Sequence, residues 1–219
     1  MAGSEQKQPS PPFGPAEFAA TFDVSRETIA RLKAFAALLG KWNSAINLIS
    51  QRDLPDLWRR HILDSAQLLP LLPERPANRE RRIIDLGSGA GFPGLILAIL
   101  GAGQVHLIES DSRKCAFLTE SVRLTGANAT VHNLRIESVP QKLPELRADV
   151  IVARGLAPLD KLIEFSAPLI EKGGLCLFLK GGSIASELTL AKKNWHMQVE
   201  QLPSRTNEAG VILRIGEIN

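Results

Sequence analysis

The spacing of apolar positions divides the chain into two unlike parts. Between residues 25 and 39, Ile29, Leu32, Phe35, Ala36 and Leu39 recur every three or four residues, the period of one buried helical face. Ser25 stands at the N-cap position, with Thr28 where a glutamate would complete a capping box. Gly40 is placed to end or bend this helix, and Trp42, Ile46 and Ile49 continue its face. A second helix is predicted from Asp53, a capping type of residue, with Pro55 in the first turn. It carries Leu57, Trp58, Ile62, Leu63, Leu68 and Leu69 and fades at Pro70 and Pro73. Residues 73–80 read as a polar linker.

Beyond residue 80, short apolar runs alternate with amphipathic stretches. Strands are predicted at 83–86, 104–109, 129–135, 149–153 and 175–179, and helices at 93–100, 112–124, 159–170 and 184–193. Two last strands, 196–202 and 210–215, flank a short loop and read as an antiparallel hairpin at a sheet edge. A βαβ series of this kind implies a Rossmann-like α/β fold, with a mostly parallel seven-stranded sheet and helices on both faces. The organisation expected is a disordered, proline-rich tail (1–15), a helical segment (16–80) and an α/β domain (81–219).

At 219 residues the chain can bury a sizeable core, and its 44% hydrophobic and 22% charged residues are ordinary for a globular protein. No apolar run approaches the roughly 20 residues of a membrane span. The polar start lacks the apolar core of a signal peptide, so the cytoplasm is the expected location. Cys115 and Cys176 are too few for a disulfide framework and read as buried thiols. No Cys/His cluster has metal-ligand spacing, and no metal is expected. His106, His132 and His196 lie in strand patterns and are expected to be structural. A monomer is the default. The net charge of +3 is modest but unevenly placed. Residues 25–82 carry eleven basic against six acidic residues, whereas residues 83–219 carry fourteen of each. Arg75, Arg79, Arg81 and Arg82 put part of this excess just before the glycine loop, as a candidate edge of a phosphate path.

That loop organises the chain. A strand ending in Asp85 runs into Gly87, Gly89, Gly91 and Gly94, and a helix follows. This is the shape of a nucleotide-cofactor site at the carboxyl edge of a parallel sheet. Gly89-x-Gly91-x-x-Gly94 formally meets the dinucleotide fingerprint, but counted from Gly87 the third glycine is replaced by Phe92. A carboxylate before the loop and a proline at the helix start disfavour a pyrophosphate and a nicotinamide dehydrogenase. Asp85 suits a cationic ligand group instead, such as the amino or sulfonium end of S-adenosylmethionine. Glu109, at the end of the next strand, can accept both hydroxyls of a ribose.

The chain resembles a specific family over roughly residues 38–190. Trp42-Asn43, Asn47-Leu48-Ile49-Ser50, Arg60-His61-Ile62-Leu63-Asp64-Ser65, the 85–94 loop, Ile108-Glu109-Ser110, Lys114 to Leu118, Ala153-Arg154, Ala157-Pro158-Leu159 and Leu179-Lys180-Gly181 are similar to bacterial RNA small subunit methyltransferase G, also called glucose-inhibited division protein B. The resemblance implies a class I, S-adenosylmethionine-dependent methyltransferase acting on N7 of a guanosine in the 530 loop of 16S ribosomal RNA. The competing readings are a methyltransferase on another RNA and a non-catalytic RNA-binding or ribosome-assembly module. Gly155-Leu156, where the family commonly has Ala-Phe, and the second glycine after Lys180 are departures.

By the same resemblance Gly87, Gly89 and Phe92 line the cofactor, and Ile136-Glu137 forms its adenine side. Arg154 ends a strand where substrate meets cofactor. It is expected to bind the cofactor carboxylate or an RNA phosphate, or else to pair with Asp85 or Glu109. Lys180 could meet a phosphate. His61 and Asp64, three apart on one helical face, form either an RNA-facing or cofactor-capping patch with Arg59 and Arg60, or a hydrogen bond between helix and sheet. Guanine N7 carries no proton, so no general base, nucleophile or triad is expected.

Overall fold

The computed structural model describes residues 13–74, 78–182 and 184–218. The 1–15 tail and the 73–80 linker thus lie partly outside the described residues, as does Arg75. Helix α1 spans Pro15–Phe22, with proline in its first turn. Helix α2 runs unbroken from Arg26 to Ile46. Ser25 caps it by accepting from the Thr28 amide at 3.1 Å, and Asn47 ends it in the left-handed conformation, φ 48°. Gly40 neither ends the helix nor marks its boundary. The helix continues beyond it because Phe35, Leu39 and Asn43 keep one face buried on either side of it.

The second predicted helix is the main departure. Leu54–Asp56 is a 3₁₀ turn, Trp58–Leu63 a π-helix, and Asp64–Ala66 (α3) a single α-turn. Asp53 does not cap this assembly, because its carboxylate is turned to Arg60 (2.9 Å) and His61. Both kinds of turn bury the same apolar side chains, so periodicity alone did not separate them.

The α/β part follows in order: β1 (Arg82–Leu86), α4 (Gly94–Ile99), β2 (Gln104–Glu109), α5 (Ser112–Thr125), β3 (Ala129–Asn133), α6 (Val139–Lys142), β4 (Ala148–Arg154), α7 (Leu159–Ser166), β5 (Ile170–Lys180), α8 (Ala185–Asn194), β6 (Gln198–Pro203) and β7 (Val211–Gly216). The seven strands form one sheet in the order β3-β2-β1-β4-β5-β7-β6. Only the contacts of β7, with β5 and β6, are antiparallel. Strand β5 starts before the Gly173-Gly174 pair, and its register with β4 shifts there. Residues 136–142 were not assigned from sequence and form a 3₁₀ turn leading into α6.

The strands alternate between two cores. Ile83, Val105, Leu107, Val150, Val152 and Leu177 face α4, α5 and the N-terminal helices, where Phe18, Phe35, Ile62 and Phe117 are buried. Ile84, Leu86, Ile151, Phe178, Leu213 and Ile215 face α7 and α8. The N-terminal helices therefore share a core with the sheet and bring residues 48–64 to the carboxyl ends of β1 and β4. No helix among the described residues is long and apolar enough to cross a membrane.

Candidate active site

The glycine loop between β1 and α4 opens a cleft of about 600 Å³ at the carboxyl edge of the sheet. Its walls include Gly87, Gly89, Phe92, Glu109, Ile136, Glu137 and Arg154, so the residues expected at a cofactor converge there. Each is placed by its element. Gly87 has φ +65°, and a Cβ there would lie 2.6 Å from Leu156 Cδ1. Its need for glycine arises from this left-handed backbone, to which the Leu156 side chain across the cleft adds a contact that must give. The Gly89 amide donates to Glu109 Oε2 at 2.9 Å, which ties the loop to the end of β2. Glu109 Oε1 accepts from the Ser110 and Asp111 amides, both at 2.8 Å. Of its four lone-pair positions one on Oε2 remains for a ligand, so one ribose hydroxyl, rather than both, can be accepted. Ile136 and Glu137 open a 3₁₀ turn, and they line the cleft together with the apolar residues Ile108, Leu134 and Phe165. Asn43, buried at the end of α2, accepts from the Ile49 amide at 2.8 Å and so places Leu48 and Ile49 in the cleft.

Asp85 does not line this cleft. It is fully buried, its Oδ2 accepts from the Gly94 amide at 3.1 Å, and Oδ1 has no hydrogen-bond partner. Burial pushes its carboxyl up to about 7. A Cβ on Gly94 would fall 2.5 Å from Asp85 Cβ, which is why that position is glycine. The third glycine of the formal fingerprint thus serves the packing of a carboxylate and not a pyrophosphate.

Arg154, at the end of β4, pairs with neither Asp85 nor Glu109. Its Nη2 donates to His61 Nδ1 at 2.7 Å, and its Nη1 donates to Asp64 Oδ2 at 3.1 Å and to the Arg60 carbonyl at 3.2 Å. The guanidinium lies 5.0 Å above the Phe92 ring, which also stacks on His61 at 4.9 Å. Phe92 is only 3% exposed, so it supports Arg154 more than it offers surface to a ligand. The π-turn supplies two of the arginine's partners, the Arg60 carbonyl and His61, and the α-turn that follows supplies Asp64; π-turns recur at functional sites.

His61 is a helix-to-sheet hydrogen-bonding group. Burial, reinforced by the charge of Arg154, pushes its pKa down to about 4. It is therefore neutral, with Nδ1 accepting and the proton on Nε2, which faces Asp53 Oδ2 at 3.5 Å. A neutral, 8% exposed imidazole does not serve as a phosphate-binding charge. Its unfolded value is near 6.5, so between pH 6.5 and 4 the unfolded chain binds the extra proton. Stability is expected to fall as pH falls through that window, by up to roughly 3 kcal/mol from this residue. Urea unfolding of the wild type and His61→Gln at pH 7.5 and 4.5 checks this, since the raised Asp85 acts in both proteins alike. An equal pH dependence in the two would contradict it.

Lys180 is held rather than free. Its Nζ pairs with Glu187 at 2.7 Å and donates to the Ala157 carbonyl at 2.9 Å, and Glu187 also accepts from the Leu159 amide. It braces the 155–158 loop instead of offering a charge to phosphate. The arginines before the glycine loop are likewise engaged, at the opposite, amino edge of the sheet. Arg79 forks onto Asp149 (2.8 and 2.6 Å), Arg82 pairs with Glu171 (2.7 Å), and Arg81 donates to the carbonyls of Ala102 and Pro73. They do not border the cofactor cleft. Cys115 and Cys176 are buried thiols, the second pushed up to about 12 by burial. His106 and His132 contact each other at 3.0 Å on neighbouring strands.

A second cleft, of about 780 Å³, lies on the other side of residues 154–157. It is lined by Asp56, Arg60, His61, Asp64, Lys180 and Thr206, among others. Sequence reasoning missed the hairpin-loop contribution, Ser204 to Asn207, which comes from more than 130 residues beyond the helical segment it meets.

A seven-stranded sheet with one antiparallel insertion and a glycine-rich cleft at its carboxyl edge, with Glu109 at the end of β2, define a class I, S-adenosylmethionine-dependent methyltransferase. The ribosomal protein L11 methylase of Lactobacillus delbrueckii subsp. bulgaricus shares this fold, with TM-score 0.54 and 20% identity over 71% of this chain and 79% of that one. The family described as GidB, rRNA small subunit methyltransferase G, matches residues 28–210, and the chain belongs to it. Relatives of that name from Rhodospirillum centenum and Paramagnetospirillum magneticum are 53% and 50% identical, covering 98% and 94% of this chain and 96% and 97% of their own lengths.

Proposed function

We propose that this chain transfers the methyl group of S-adenosylmethionine to N7 of a guanosine in the 530 loop of 16S ribosomal RNA, in the cytoplasm and as a monomer. The observation that carries this reading is the meeting of two clefts, both built from one chain, at the segment Arg154–Ala157. One has the features a nucleoside cofactor needs: a glycine loop, a carboxylate with a free lone pair, and an apolar wall of Ile108, Leu134, Ile136 and Phe165. The other is polar and large enough for a nucleotide.

The residues present suit the cofactor. Glu109 would take a ribose hydroxyl, Ile136 and Glu137 the adenine, and Arg154 the carboxylate end. When bound, the cofactor supplies an electrophilic methyl group. Guanine N7 would form the new N–CH₃ bond with its in-plane lone pair as the S–CH₃ bond breaks to leave S-adenosylhomocysteine, and no proton would be released, so the chain's task is orientation and exclusion of water. A neutral His61, spent as an acceptor for Arg154, fits a reaction without a general base. Positive charge moves to the base during transfer. Arg154 is neutralised by Asp64 at 3.1 Å, which limits its repulsion of that charge.

Tritiated S-adenosylmethionine and small subunits from a strain lacking the gene test the reading. Label is expected in 16S RNA and, after nuclease digestion and mass spectrometry, at one guanosine as 7-methylguanosine. Label at another RNA or nucleotide would move the target. Absence of label together with absence of cofactor binding would favour a non-catalytic assembly module.

A further inference from the structure

Asp64 receives donors from three separate parts of the chain. Its Oδ2 accepts from Arg154 Nη1 at 3.1 Å. Its Oδ1 accepts from Thr206 Oγ1 at 2.6 Å and from Gln67 Nε2 at 2.8 Å. Thr206 belongs to the loop between β6 and β7. Gln67, 2% exposed, fastens the same loop by accepting from the Arg205 amide at 2.8 Å and donating to Ser204 Oγ at 3.4 Å. Among the described residues, Asp64 is the carboxylate in contact with Arg154; the other in-plane partners of that arginine, the Arg60 carbonyl and His61 Nδ1, are neutral.

We propose that Asp64 is the positioning residue of the site: it sets the guanidinium of Arg154 for the cofactor and couples that setting to the hairpin loop lining the second cleft. The inference rests on the reading of Arg154 as a cofactor-binding residue. Every neighbour of the Asp64 carboxylate is a donor, and two of them, Arg154 and Thr206, stand on the walls of the two clefts. A carboxylate satisfies all three at once. An asparagine of the same shape turns its amide N–H₂ either toward Arg154 or toward the Gln67 and Thr206 side, so at least one donor loses its acceptor, and in either flip the negative charge opposite Arg154 is gone. Arg154 then keeps its hydrogen bond to His61 and its place above Phe92, but not a charged partner fixing its rotation.

The test is calorimetric titration of the full chain with S-adenosylhomocysteine, which needs no RNA and no turnover. Asp64→Asn is expected to weaken binding on the order of tenfold, the worth of one charge-assisted hydrogen bond. Arg154→Lys should weaken it as well, and adding Asp64→Asn to Arg154→Lys should cost less than about twofold more, because a lysine has no planar fork for Asp64 to orient. A purely structural ion pair would lower the melting temperature without this non-additivity. Should Asp64→Asn be too unstable to titrate, Asp64→Glu keeps the charge and displaces it by one methylene, with the same weakening expected. Wild-type affinity in whichever Asp64 variant is titrated, or a full tenfold further loss in the Arg154→Lys background, overturns the proposal. Normal binding by Arg154→Lys itself overturns the underlying reading of Arg154 together with it, whereas a weakened Arg154→Lys beside a normal Asp64 variant overturns this inference alone.

Discussion

Gly87→Val is expected to abolish measurable binding of S-adenosylmethionine while the protein stays folded. The backbone at Gly87 has φ +65°, where a β-branched residue is strained by roughly 1–3 kcal/mol. Its Cβ would also stand 2.6 Å from Leu156 Cδ1, far inside contact distance. Relief requires the glycine loop or the Leu156 side chain to move, and both line the cofactor cleft. The two effects together should weaken affinity by at least about 100-fold. The clash is with a protein side chain, so it can be relieved independently. Gly87→Ala should bind weakly, and Leu156→Ala added to Gly87→Ala should recover part of the affinity. Calorimetric titration of the three variants decides it. Unchanged affinity in Gly87→Val, or no recovery in the double variant, would show that the loop does not meet the ligand as argued.

The glycine loop, the strand ends and Arg154 were legible because local sequence determines them. Asp85, Gly87 and Glu109 announce a strand, a turn and a second strand end, and the sheet topology then brings Ile136 and Arg154 to the same edge. What charge and composition suggested was less reliable. Arg79, Arg81 and Arg82 read as a basic doorstep, yet the strand they precede enters the sheet at its opposite edge, where Asp149 and Glu171 meet two of them. Strand direction alone separates that edge from the cleft. Lys180 and Asp85 show the same limit: a charged residue beside a motif can be paired within the protein, as Lys180 is with Glu187, or buried away from the cleft, as Asp85 is. The partners that define the site, Asp64 with Thr206 and Gln67 with Arg205, join segments well over a hundred residues apart. Periodicity reports which face is buried and not which loop lands on it. The π-turn at Trp58–Leu63 was invisible for a related reason, since it buries the same side chains as an α-helix.

Arg154→Lys should cut kcat/KM for methylation of 16S RNA by about 100-fold and lower stability much less. Lysine preserves the charge opposite Asp64, so no buried carboxylate is stranded, the cost that makes Arg154→Ala a poorer probe. Its ammonium cannot reproduce a planar fork that donates to Asp64, to the Arg60 carbonyl and to His61 at once. It also loses the flat contact 5.0 Å above Phe92. On the reading of Arg154 as the holder of the cofactor carboxylate, a displaced charge loses two charge-assisted bonds to that ligand, and at about 1.5 kcal/mol each this gives about 3 kcal/mol and hence the 100-fold figure. Stability should change less because the π-turn keeps its own packing, with Ile62 and Leu63 buried whatever occupies position 154. Steady-state kinetics on subunits lacking the methyl group, beside thermal unfolding of both proteins, separates these effects. Near-normal kcat/KM in the lysine variant would mean that charge alone is required at this strand end, and the fork geometry at the junction of the two clefts would then have no part in the reaction.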